Sequence, residues 1–211
     1  MKENEKVTLG FDVDNCLRDF TEGVNQVFAK QFPKFAYCLK DAWCWDWFYY
    51  YPWAEIMREL SIEGQTDKFA EDWFVKNGAE IQTVGPAFKG SIETLKQFIQ
   101  IFDRDDTEVA IVTMQRTPEM EVATEEWIRK QGLKDITVKF AKTWEDKWNL
   151  CDILVDYSID VLNAKPDNKV AIKVTCPWNK DVNGFVNVNS FKEITPENIL
   201  DSITLFKLLQ L

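Results

Sequence analysis

Residues 7–20, VTLGFDVDNCLRDF, carry the reading of the fold. The first five are short, apolar and β-compatible, and they run abruptly into Asp12. A helical pattern follows, with Phe20, Val24, Val27 and Phe28 at i, i+4, i+7 and i+8 spacing, and Pro33 marks its end. Asp12 and Asp14 therefore sit two residues apart just past a strand. On the strand's pleat their side chains share one face. An Asp-x-Asp in this place can be no more than a turn, because Asp favours turns, so its meaning depends on the rest of the chain.

Further on, the same pattern recurs. Residues 91–102 (SIETLKQFIQIF) read as an amphipathic helix, and residues 108–113 (EVAIVT) as a strand ending in Thr113. Pro118 suits a first helical turn, and the helix runs on to Gly132. Residues 136–140 form a short strand, and residues 151–155 (CDILV) form another that ends in Asp156. Residues 159–164 make a short helix, 169–174 a further strand and 196–211 a closing helix. Alternating strands and helices indicate an α/β fold, a Rossmann-like parallel sheet with helices on both faces. Ligands bind such sheets beyond the carboxyl ends of the strands, where Asp12, Thr113 and Asp156 each place an oxygen.

Residues 35–75 break the alternation. Aromatics crowd there, with Trp43, Trp45, Trp47 and Trp53 among Phe48, Tyr49, Tyr50 and Tyr51. Two helical pieces are expected, at 52–60 and 66–75, with Asn77-Gly78 as a helix stop. The aromatic block has two readings: the core of a small domain, or rings that stack on a base.

Composition narrows the chemistry. The chain has 211 residues, 45% of them hydrophobic, enough for one domain with a modest insertion. A net charge of -10 argues against a nucleic-acid duplex as partner. With no histidine, triads, Cys-His dyads, HExxH zinc sites and histidine phosphorelays are excluded, and acid/base work falls to carboxylates, Lys, Tyr or Cys. The five cysteines include no CxxC pair and read as free thiols of a reducing compartment, the cytoplasm. The opening MKENEKVTLGFDVD reads as carrying no signal peptide, and no segment is long enough to span a bilayer.

Converging on a phosphate, one of the paired carboxylates can attack phosphorus while the other moves the proton. Phosphate and carboxylate are both anionic, so a divalent cation is needed, and hard oxygen donors suit Mg²⁺. Asp156 is the natural further ligand.

In order and spacing, VTLGFDVDNCLRDF, VAIVTMQ and CDILVDYS resemble the first, second and fourth signatures of the haloacid-dehalogenase-like superfamily. GPAFKGSIETLKQF (85–98) and VTCPWNKDVNGFVNVNSFKEI (174–194) are similar to its 5'(3')-deoxyribonucleotidase branch. The resemblance implies a core of residues 1–20 and 85–211, with a small helical cap inserted after the first strand at 21–84. It implies Asp12 as nucleophile and Mg²⁺ ligand, and Asp14 as acid/base that also offers its backbone carbonyl to the metal. Thr113 and the Met114 N–H would hold the phosphoryl group, Asp156 would hold Mg²⁺, and Lys147, with Lys142 as runner-up, would neutralise the phosphate. Substrate contacts would come from Arg18, Arg116, Trp45, Trp47, Phe48 and Trp73, although for either arginine a structural ion pair is an equal expectation. Two positions depart from the pattern. Tyr157 stands where many relatives have a second acid, with Asp160 able to substitute, and Asn15 stands where Gly is common but tolerates a left-handed backbone. The expected substrate is a small phosphate ester, a nucleoside monophosphate, with no membrane partner and with a homodimer compatible. The rivals are a phosphatase of another metabolite and a catalytically idle binding protein.

Overall fold

The computed structural model describes residues 6–38 and 51–211. Six strands form one sheet: β1 (Val7–Phe11), β2 (Thr107–Met114), β3 (Thr137–Ala141), β4 (Ile153–Asp156), β5 (Val170–Val174) and β6 (Val186–Val188). All pair in parallel, in the order β3-β2-β1-β4-β5-β6. Parallel neighbours need crossovers, and helices supply most of them. Between β1 and β2 lie α1 (Phe20–Gln31), α2 (Trp53–Glu59), α3 (Thr66–Val84) and α4 (Ser91–Phe102). Next come α5 (Pro118–Lys130), α6 (Trp144–Asn149), α7 (Ile159–Asn163) and the closing α8 (Pro196–Leu209).

Strand alternation divides the core in two. Leu9, Phe11, Val109, Ile111, Ile153, Val155, Val170 and Ile172 pack with α4, α8 and the second half of α5. The residues between them, Val112, Leu154 and Ala171, point to the other face, against Trp148 of α6 and Val161 and Leu162 of α7. Both faces are covered, so the strands read as continuous apolar runs.

The segment between β1 and α4 builds a second apolar cluster of its own. Val24, Val27 and Phe28 of α1 meet Tyr51, Trp53, Ile56, Trp73, Phe74 and Ile81. The Phe28 ring lies 4.4 Å from Tyr51 and 5.4 Å from Trp53. Helix α5 joins both clusters, through Met120 on one side and Trp127 and Ile128 on the other.

One expectation is corrected here. Asn77-Gly78 does not stop a helix, because α3 runs through it to Val84. Gly78 is there for close packing: a Cβ on it would lie 2.5 Å from the Met120 sulfur. Asn77 turns inward and donates to the Trp73 carbonyl at 2.7 Å. The short strand β6 and the six-residue α6 also go beyond the sequence reading. Among the described residues no helix is long and apolar enough to cross a membrane.

Candidate active site

The sheet register brings the strand ends level. Phe11 pairs with Ile111 on one side and Val155 on the other. Asp12 and Asp156 are therefore neighbours across adjacent strands, and the Asp12 N–H donates to the Val155 carbonyl at 3.0 Å. On the other flank Thr113 is buried as the last residue but one of β2, and Met114 ends the strand.

Lys147 closes the group. Its Nζ lies 2.9 Å from Asp12 Oδ1 and 2.8 Å from Asp156 Oδ2. All three are buried, with 3%, 3% and 0% exposure for Asp12, Lys147 and Asp156. Lys147 sits in α6, a helix kept in place at its start by a capping box between Thr143 and Asp146. Asp156 Oδ1 accepts from the N–H groups of Tyr157 at 2.7 Å and Ser158 at 2.8 Å. Asp12 has fewer donors. Burial, with the negative Asp156 and Asp14 nearby, pushes its carboxyl up to about 7 despite Lys147. Burial opposes the Lys147 charge, but its two carboxylate partners outweigh that and hold it protonated.

Asp14 belongs to a separate group, formed by the turn after β1. The Val13 carbonyl accepts from the N–H groups of Cys16, Leu17 and Arg18, and Asn15 takes a left-handed φ of 51°. Arg18 is 0% exposed. Its Nε and Nη2 donate to Asp14 Oδ1 at 2.9 and 2.6 Å. Nη1 donates to the Gln82 carbonyl at 2.6 Å, and Nη2 also reaches the Gln82 side-chain oxygen. The guanidinium stacks over Trp127, 5.0 Å from the ring centre. Gln115 donates to Asp14 Oδ2 at 3.0 Å.

The placements of the other expected residues follow. Lys142 is exposed and pairs with Glu121 at 2.5 Å, so the lysine at the strand ends is Lys147. Arg18 is not available to substrate, because every face of it is taken by Asp14, Gln82 and Trp127. Arg116 pairs with Glu71 at 3.2 Å and lies over Phe74, away from the carboxylates. Trp73 is buried among Phe28, Phe32 and Trp53, with its N–H donating to Gln31 at 2.8 Å. Trp45, Trp47 and Phe48 lie outside the described residues. Asp160 lies in the first turn of α7 and is joined to the carboxylates by no hydrogen bond or ion pair among those described.

Tyr157 adds no charge to the group. Its hydroxyl end is enclosed beside the Asn15 side chain, and burial with the three aspartates pushes it well above its ordinary value. Cys16 is likewise kept a neutral thiol, by burial first and then by Asp12 and Asp156. Asn179, fully buried, donates to the carbonyls of Tyr157 and Val174 and so ties the loop after β4 to the loop after β5. Gln82 and Gln115 escape a reading from sequence, because glutamine has no chemistry that marks it without its neighbours.

The donor set fits a hard divalent cation. Asp12 and Asp156 share one lysine, and Asp14 is matched by Arg18, so with Asp12 ionised the group carries one excess negative charge. Among the described residues no group of three or more acidic or thiol side chains is gathered to hold a metal. Asp12 and Asp156 nevertheless stand together on one lysine, and such paired hard oxygen donors are of the kind that Mg²⁺ takes with water filling the rest of its shell.

By sequence the chain matches no protein-family model and no curated protein. By structure it is similar to a HAD-superfamily hydrolase, subfamily IA, variant 1, from Geobacter sulfurreducens, with TM-score 0.56 and 12% identity over 94% of this chain and 97% of that one. It is similar to a haloacid dehalogenase-like family hydrolase from Xanthomonas campestris, with TM-score 0.55 and 12% identity over 97% and 99%. CbbY from Rhodobacter sphaeroides, crystallised in complex with phosphate, gives TM-score 0.54 and 14% identity over 90% and 96%. At such identities what is shared is the fold: a six-stranded parallel sheet flanked by helices, in the haloacid-dehalogenase-like arrangement.

Proposed function

We propose that this chain is a Mg²⁺-dependent phosphomonoesterase that works through an aspartyl-phosphate on Asp12. The observation that carries the reading is the meeting of Asp12, Asp156 and Lys147 at the ends of two adjacent central strands, with Asp14 two residues beyond. The shared fold supports it, and one protein of that fold was crystallised with phosphate.

Asp12, the Asp14 backbone carbonyl and Asp156 would hold Mg²⁺, which when bound supplies the positive charge that lets a phosphate dianion approach a carboxylate. Asp12 attacks phosphorus, and the ester oxygen departs with a proton from Asp14. Asp14 then takes a proton from water as that water attacks the phosphorus, which frees phosphate and restores Asp12. Lys147 holds Asp12 in line and offsets charge. The Thr113 hydroxyl and Met114 N–H donate to the phosphoryl oxygens.

The substrate we favour is a nucleoside monophosphate. Support comes from the resemblance to the deoxyribonucleotidase branch and from the aromatic composition of residues 43–50, rings of the kind that stack on a base. We place the protein in the cytoplasm, consistent with the free thiols of Cys16, Cys151 and Cys176. Phosphate release with Mg²⁺ across a panel of nucleoside and sugar monophosphates tests the function. Turnover by the parent chain and its loss in Asp12→Asn, by about 10⁴-fold or more, is the expected result. Tight nucleotide binding without turnover would reassign the chain as an idle binding protein.

A further inference from the structure

Four side chains close a ring behind the strand ends. Asp14 Oδ1 accepts from Arg18, and Arg18 donates to both oxygens of Gln82. The Gln82 amide donates to Gln115 Oε1 at 2.6 Å, and the Gln115 amide returns to Asp14 Oδ2 at 3.0 Å. Gln82 and Gln115 are buried, at 1% and 6% exposure. Each stretch of chain in the ring comes from a different place: the turn after β1, the last turn of α3 and the residue after β2. Thr124 of α5 adds a 3.4 Å contact to Arg18.

We infer that Gln82 and Gln115 are positioning residues that, with Arg18, fix the direction of the Asp14 carboxylate for proton transfer to the leaving group. The inference rests on the phosphatase reading above. Either Asp14 oxygen alone could swing about the side-chain torsions. Donors on both oxygens, from fixed elements, leave one orientation, and general acid catalysis depends on that aim to within a fraction of an ångström. The ring also ties the insertion to the chemistry, because Gln82 of α3 is bonded to both Arg18 and Gln115, the two partners of Asp14. Arg18 supplies the charge match, and the glutamines supply direction, so removing a glutamine leaves the ion pair intact.

Leaving groups provide the test. A nucleoside or sugar monophosphate needs a proton from Asp14 to release its alkoxide, whereas 4-nitrophenyl phosphate releases a stable phenolate without one. The quantity to compare is kcat/KM, which ends at departure of the leaving group and excludes hydrolysis of the aspartyl-phosphate. In Gln82→Met and in Gln115→Met, kcat/KM for the best alkyl phosphate of the panel should fall at least about tenfold further than for 4-nitrophenyl phosphate, within the 10²–10⁴-fold that general acids contribute. The double variant should lose no more than about what the worse single variant loses, since the two act on one carboxylate. The ratio between substrates is measured on one sample, so a partly unfolded variant lowers both rates equally and leaves the ratio readable. An equal fall on both substrates, or none, in either variant would overturn the inference while leaving the phosphatase reading standing. A parent chain inactive on every ester would overturn that reading, and this inference with it.

Discussion

Lys147 is the residue on which the buried charges depend. Its replacement in Lys147→Met leaves Asp12 and Asp156 buried without a counterion, and breaking such a pair costs about 3–5 kcal/mol. A fall of that size in unfolding free energy, measured by denaturant titration, is expected. The raised carboxyl of Asp12 has a signed consequence as well. The native state holds this proton up to about 7, the unfolded chain only to 3.8. Between those values the native state binds more protons, so its stability falls as pH rises through the window. In metal-free buffer the Tm should drop between about pH 5 and about pH 8, and Asp12→Asn should flatten that drop. Mg²⁺ should raise the Tm more at the alkaline end, where it does not compete with the proton. Asp12 and Asp156 were legible in the sequence as the positions where apolar strands stop, whereas Lys147 was named only through the family resemblance. The bond partners of Arg18 were not legible. A guanidinium seven positions past a strand carries the same letter whether it meets substrate or is sealed against Trp127.

At the level of elements, the decisive packing is that of α3 between α1 and α5. Gly23 of α1 lets the α3 backbone approach: a Cβ there would lie 2.8 Å from the Ile81 carbonyl and 3.1 Å from the Gly85 Cα. Both are main-chain atoms that cannot rotate away. Gly23→Ala should therefore cost about 1–3 kcal/mol, readable as a lower Tm. Gly78 differs, since the flexible Met120 side chain faces it. That contact also explains why α3 was read too short from sequence. Asn-Gly is a stop signal when judged locally, and only the neighbouring helix makes a glycine useful in mid-helix. By contrast, α4 was legible to the residue, because Gly90 precedes a regular apolar stripe and Asp103 follows it.

Over the whole molecule, charge and topology set the terms. A net charge of -10 repels a dianionic substrate before it reaches the strand ends. Added salt screens that repulsion, so kcat/KM for a phosphate ester should rise a few-fold between about 20 and about 200 mM salt. A fall would show that local cations outweigh the global field. The parallel sheet was legible because strands and helices alternate. The aromatic segment was not, since rings that line a core and rings that meet a ligand share the same composition. The strand order carries one more consequence. Leu9 pairs with Ile153, so β1 stays without its β4 neighbour until synthesis has reached residue 153. On a ribosome Asp12 and Asp14 are made long before Lys147. On the proposed reading, a nascent chain arrested before residue 147 should release no phosphate from an ester that the finished chain hydrolyses.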